Sequence, residues 1–280
     1  MLVEKVVEMK IILSRKGFDS KYGGCPSPIM PDGAMLSFPI PSDTGVEYSC
    51  MSYKEQKYSE IWKQLCPNRK DYREVCHLDP DIREGVRMKL VDNWKPAFGQ
   101  CGAAQTHLEN KGVTYGDLFM FFGWFRQTEN RPTGQLTYKK DSPGIHAIYG
   151  YIQVGEMLQG DRIQEYPWHP HADQSLYAYA NNTLYTPAPE LIIGNYKTGL
   201  PGYGTLEYAS RLVLTKEGMS RSRWNILDWF NEVEISHHNK ESIKNDYFQS
   251  AGIGQEFVIS ANEEAMKNVT DWVKAIIVGD

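Results

Sequence analysis

Apolar residues fall into short runs along the chain, and the spacing within each run predicts its element. MKIILS (9–14) is an apolar run of strand length. The RKGFDSKYGGCPSP stretch after it (15–28) is dense in glycine and proline and must be a loop. MPDGAMLSFPIP (30–41) reads as a turn at Pro31-Asp32-Gly33 followed by a short strand. In 53–66, Tyr58, Ile61, Trp62 and Leu65 recur at i, i+3, i+4, i+7, the period of a helix, which Pro67 ends. VCHLDPDIR (75–83) reads as a strand running into a polar turn. GAAQTHLENKG (102–112) has helix-forming composition and stops at Gly112.

Two longer strands, DLFMFFGWFR (117–126) and IHAIYGYIQVGEML (145–158), flank a polar stretch holding Pro132, Gly134 and Pro143, so a hairpin-like pairing is expected. LYAYA, TLYT, GTLEY and RLVLT predict short strands, WNILDWF (224–230) a short helix, and QEFVIS (255–260) a late strand. In 262–279, acids open the segment and Ala265, Val269, Trp272, Val273 and Ile276 share one face, which makes it the clearest helix. No repeat or linker interrupts this order. The expected fold class is α+β: a strand-rich single domain over 1–280 with a C-terminal helix, residues 1–8 forming an N-terminal extension.

Composition narrows the class. At 280 residues, 41% hydrophobic and 23% charged, the chain has globular proportions. A net charge of -5 argues against a protein that coats nucleic acid through phosphate contacts alone. Any such partner must meet a local basic patch or a base pocket, or else the ligand is a free nucleotide. Five cysteines without CxxC spacing give no zinc-ribbon motif and suit reduced thiols in a cytoplasmic protein. No run approaches the roughly 20 apolar residues that span a bilayer, and Met1–Lys10 is unlike a signal peptide, so no membrane partner is expected.

Five segments carry candidate chemistry. At the end of the first strand, Ser14, Arg15, Lys16 and Asp19 lead into a glycine loop able to present cations and backbone N–H groups to a phosphate, although P-loop spacing is absent. The alternative is an ordinary solvated turn. In HLDPD, His77, Asp79 and Asp81 stand at i, i+2, i+4, so a strand would point them one way, as a divalent-metal set or an acid–base group. HxD also begins the facial triad of iron oxygenases, though Pro80 suits that reading poorly; two turn-capping aspartates are the plainer explanation. In FGQCGAAQTHL, small residues surround Gln100, Gln105 and His107, and amide side chains read base edges. Cys101 as a nucleophile has no support beyond its neighbours. In YPWHPHAD, His169 and His171 alternate and, together with His77 and Asp79, would complete a metal site if folding joined them; a proline-constrained loop is the plainer reading. SRSRW sets Arg221 and Arg223 beside Trp224, which suits phosphate and base contact or an ordinary salt-bridged surface.

Taken in order, MKIILSRKGFDS, GGCPSPIMPDG, HLDPD, FGQCGAAQTHL, GDLFMFFGWFR, HAIYGYIQVGEML, HPH, NTLY, SRSRW and GQEFV resemble the nucleotide-modification-associated domain 3 family from Met9 to near the end of the chain. That resemblance implies a protein of a nucleobase or DNA modification system, alongside other proteins of such a system, and implies no particular reaction. Residues 112–158 are also similar to PUA-like barrels, in which Phe121, Phe122, Trp124 and Tyr149 would wall a modified-base pocket; packing in a strand core accounts for them equally well.

Two functions follow as expectations. One is an enzyme acting on a nucleotide or modified base, with phosphate held by Arg15, Lys16, Arg221 and Arg223. Its reacting centre would use His77, Asp79, Asp81, Gln105 and His107, with a divalent metal as a candidate cofactor on His77, Asp79, His169 and His171. The other is a non-catalytic PUA-like reader of a modified base in nucleic acid.

Overall fold

In the computed structural model, which describes residues 9–68, 73–252 and 255–279, one large sheet organises the chain. The elements that place the site are β1 (Ile11–Arg15), β2 (Ser27–Ile29), β3 (Ile40–Glu47), α1 (Tyr58–Leu65), β4 (Val75–His77), β5 (Phe98–Gln100), α2 (Gly102–Asn110) and β6 (Leu118–Asn130). They continue with β7 (Leu136–Tyr138), β8 (Ile145–Gln159), β9 (Thr183–Pro187), β10 (Tyr203–Thr205), β11 (Glu234–Ile235), β12 (Glu256–Ser260) and α3 (Glu263–Ile277). The proposed extension at 1–8 lies outside the described residues.

The sheet runs β11-β12-β1-β6-β8-β9-β5, with β10 added to β8 and β2 and β7 added to β6. β1 and β6 are parallel, in register Ile11 with Leu118 through Arg15 with Phe122. β1 and β12 are antiparallel, with Ser14 opposite Glu256. The predicted pairing of the two long segments is present: β6 and β8 are antiparallel, Phe125 facing Ile145 and Leu118 facing Gln153. The sheet is open, and no closed barrel forms among the described residues. Phe121 and Phe122 are buried in the sheet's hydrophobic core, and Tyr149, also buried there, lines a cavity together with Asp79, Ile82 and Thr205.

The apolar runs explain this layout. Residues 118–122 of β6 are all buried, which requires cover on both faces, so β6 takes a central place between β1 and β8. α3 is capped by the Asn262 side chain, which accepts from the Ala265 N–H, and carries Glu263 and Glu264 in its first turn. Its buried face includes Ala265, Val269, Val273 and Ile276, as the spacing predicted.

A second apolar cluster surrounds α1, where Phe18, Tyr48 and Trp62 pack edge to face or tilted. The β3–β4 ladder belongs beside it. Cys25 and Cys66 pair as a disulfide, which corrects the expectation of five reduced thiols; Cys50, Cys76 and Cys101 are free.

Several short elements differ from expectation. The strand expected within 30–41 begins only at Ile40, and that expected from 75 stops at His77. LYAYA and RLVLT form no named strand, and 224–230 holds a single helical turn from Asp228 rather than a helix. These segments are too short for a period to develop, so side-chain packing decides them. No helix among the described residues is long and apolar enough to cross a membrane.

Candidate functional site

Three segments meet where β4 approaches the β5 edge of the sheet. His77 closes β4, and Asp79 follows after a tight turn in which the Asp79 N–H donates to the His77 carbonyl. Asp79 is anchored to β5, because its Oδ1 accepts from the Gly99 N–H at 2.8 Å. His169 and His171 arrive on a helical turn, Pro170–Ala172, just before β9. One ligand-type atom from each of His77, Asp79 and His171 lies within 4.8 Å of the others.

Each group is oriented by a partner. The His171 Nδ1 stands 2.7 Å from the Asn182 Oδ1, while the Asn182 amide nitrogen donates to the His171 carbonyl at 2.9 Å. That second bond fixes which end of the amide is oxygen, so the His171 Nδ1 must be the donor and its Nε2 keeps a lone pair. The His77 Nδ1 is 2.9 Å from the Tyr177 hydroxyl, and the Tyr177 ring stacks on His171 at 4.3 Å. The His169 Nδ1 accepts from the His171 N–H, leaving its Nε2–H on the Asp79 side. That Nε2 lies 3.3 Å from Asp79 Oδ1 but off the bonding direction, so it is a close neighbour without an aligned hydrogen bond.

Glycine at position 99 is a packing requirement. A Cβ there would stand 2.3 Å from the His171 ring.

Burial sets the protonation states. It pushes the His77 imidazole down to about 4, with Asp79 opposing and His169 and Lys16 assisting. His171 falls to about 3, again through burial. For Asp79, burial favours the acid, but the His169 contact and the basic groups around it, Lys16 among them, outweigh it and hold the carboxylate well below its usual range. The chemical result is one carboxylate beside neutral imidazoles at His77 and His171, a set able to hold a metal cation or to relay a proton.

Beside this set lies a buried ion pair. The Lys16 Nζ is 3.0 Å from the Glu256 Oε1 and 4.4 Å above the Phe98 ring. Gln100 donates to the same oxygen at 2.5 Å, while the buried Glu256 Oε2 has no hydrogen-bond partner among the described residues. Cys101 precedes α2, and burial raises its thiol pKa with Asp79 adding to the effect, so it lacks the character of an activated nucleophile.

The remaining expected residues are distributed elsewhere. Asp81 lies beyond the end of the strand and is held by Arg87 at 2.6 Å and the Trp94 Nε1 at 3.0 Å. His107 bonds to the Ser236 Oγ and packs on His237, and among the described residues none of its hydrogen bonds or ring contacts joins it to the His77–Asp79 set. Gln105 is buried between Tyr185 and Glu109. Ser14 is fully buried within β1, which removes its hydroxyl from any phosphate at the surface. Asp19 caps its own turn, accepting from the Lys21 and Tyr22 N–H groups.

Burial lowers the Arg15 pKa, with the Asp19 carboxylate opposing and the Arg221 charge adding to the effect. Arg15 donates to the Ala251 and Gly252 carbonyls, and Arg221 bonds the Ser20 hydroxyl while covering the Trp124 ring at 4.1 Å. Arg223 stands over Tyr247 at 4.9 Å. Sequence reasoning missed Asn182, Tyr177 and Gly99 and undervalued Glu256. The pairing of β1 with β12 is what joins Lys16 and Glu256, and no local signal announces it.

A family model described as nucleotide modification associated domain 3 matches residues 10–260. The chain belongs to that family. The motifs quoted above therefore carried a true resemblance, and the family's description links the chain to nucleotide modification systems. No curated protein and no solved structure matches it.

Proposed function

We propose that this protein is an enzyme of a nucleotide modification system that binds a nucleotide or modified base and acts on it at the His77–Asp79–His169–His171 centre. The observation that carries the reading is convergence. Two segments nearly a hundred residues apart place three imidazoles around one buried carboxylate, with a buried Lys16–Glu256 pair alongside. Burying ionisable groups is unfavourable, and such clusters concentrate at functional sites. A pure reader of base edges has less use for so many titratable groups.

In this reading His77 and Asp79 handle the proton or charge that develops in the reaction. Gln100 and Glu256 meet the polar edge of the ligand, and Lys16, Arg15 and Arg221 supply positive charge toward phosphate. The overall negative charge favours a free nucleotide or a single base over a long stretch of nucleic acid backbone.

A thermal-shift screen against nucleotides and modified nucleosides, followed by product analysis on each hit, tests the reading. The expected result is a raised melting temperature with at least one nucleotide, and turnover that Asp79→Ala abolishes in a protein that still folds by circular dichroism. A protein unmoved by every nucleotide contradicts it. Binding without turnover, unchanged in His77→Ala and Asp79→Ala, would favour the reader instead.

A further inference from the structure

We propose that His77, Asp79 and His171 form a three-ligand site for one first-row transition-metal dication, held in orientation by Tyr177, His169 and Asn182. This deepens the enzymatic reading of the same centre, and the metal can be measured without reference to any nucleotide.

The donor set comes first. The ligand-type atoms of the three residues lie within 4.8 Å of one another, and the His77 Nε2 is 3.8 Å from the Asp79 Oδ2. Donors around a tetrahedral ion at about 2.1 Å stand roughly 3.4 Å apart. Small side-chain adjustments therefore close the site.

The outer partners come next. His171 gives its Nδ1 proton to Asn182, whose amide is fixed by its bond to the His171 carbonyl, so the ring's free donor is Nε2. Asp79 Oδ1 accepts from the Gly99 N–H and lies 3.3 Å from the His169 Nε2, which leaves Oδ2 as the oxygen facing His77. The Tyr177 hydroxyl occupies the His77 Nδ1. Each ligand thus has its far atom engaged and its near atom turned to a common point, the outer arrangement that orients metal ligands.

Two imidazole nitrogens and one carboxylate select against magnesium and calcium, which prefer all-oxygen shells, and favour ions such as zinc, iron(II) or manganese(II). Three protein ligands leave at least one position open for water or for an oxygen of the substrate, the pattern of a catalytic site. At the centre, the metal would act as a Lewis acid or lower the pKa of a bound water.

The test uses the full chain without a histidine tag, stripped by a chelator and dialysed separately against zinc, manganese(II), anaerobic iron(II) and magnesium. Metal is then counted by inductively coupled plasma mass spectrometry. About one transition ion per chain is expected, absent from the His171→Ala and Asp79→Ala variants and retained by His237→Ala. Asn182→Ala leaves the three ligands in place and should weaken the competition-measured affinity on the order of 10- to 100-fold. That variant keeps the test meaningful if a ligand variant fails to fold by circular dichroism.

Wild-type protein that binds no transition ion overturns the proposal. So does equal stoichiometry in a folded His171→Ala variant, affinity unmoved by Asn182→Ala, or uptake of magnesium alone. A metal-free protein whose melting temperature rises with a nucleotide sinks the metal site and leaves the functional reading standing. A metal-loaded protein indifferent to every nucleotide does the reverse.

Discussion

The histidines at 77, 169 and 171 surround a buried carboxylate, whereas those at 107, 237 and 238 meet hydroxyl, backbone and ring neighbours. In the first group Asp79 is almost wholly buried and tied to β5, and Asn182 sets the tautomer of His171. In the second, His107 meets the Ser236 hydroxyl and the His237 ring, and His238 accepts from the Ala251 N–H. Both groups bring imidazoles together, yet the first sets a buried carboxylate among them and fixes where a nitrogen lone pair points. The lesson is that histidine density alone marks nothing. A carboxylate and orienting partners turn imidazoles into a centre.

The comparison breaks most severely at the ion pair beside the first group. Lys16→Met leaves Glu256 buried without its cation and should cost about 3–5 kcal/mol in urea unfolding. The double variant Lys16→Met with Glu256→Gln should recover much of that loss. A cost no larger for Lys16→Met than for an average surface change would show that the pair is solvated.

Gly99→Ala forces a methyl into the His171 ring and should cost about 1–3 kcal/mol by the same measurement. It should also lower transition-metal affinity, because the ring must move. By contrast, His237→Ala, in the exposed group, should change stability by no more than about 0.5 kcal/mol. Equal costs at the two positions would erase the distinction between the groups.

The pH dependence sharpens the contrast with a third kind of histidine. His146 is buried against Trp224 with no carboxylate partner among the described residues, and burial pushes it down to about 3. Its folded pKa lies below the unfolded value of roughly 6.5, so between those pH values the unfolded chain binds the extra proton. Its contribution to stability is complete above about 6.5 and is lost progressively as pH falls toward 3. His146→Gln should flatten that part of the melting-temperature profile, while His107→Ala, whose downward shift is smaller, should alter its slope less. A profile left unchanged by His146→Gln would contradict the assignment.

Much of the frame was legible in the sequence. Long apolar segments announced β1, β6, β8, β12 and α3, because a buried strand or a helix face imposes a period that neighbours cannot hide. The loop-borne part of the site was legible only as residue types. His77, Asp79, His169 and His171 were visible as metal-type ligands, and their meeting depends on the turn after β4 and on the β9 approach, which no local pattern encodes. Asp81 and His107 show the same limit from the other side: strand alternation stops at His77, and His107 sits on α2 against Ser236, so neither position is fixed by its local pattern. The aromatic residues of β6 and β8 carry a related ambiguity, since a central strand and a pocket wall share one composition.

The most direct test of the central claim is a nitrogen–proton correlation spectrum of the imidazole side chains, recorded while a nucleotide hit from the thermal screen is titrated in. Seven histidines make the spectrum small enough to assign by single substitutions. The account predicts that the signals of His77 and His171 move with the titration while those of His107 and His237 stay in place. Movement confined to His107 and His237 would contradict it.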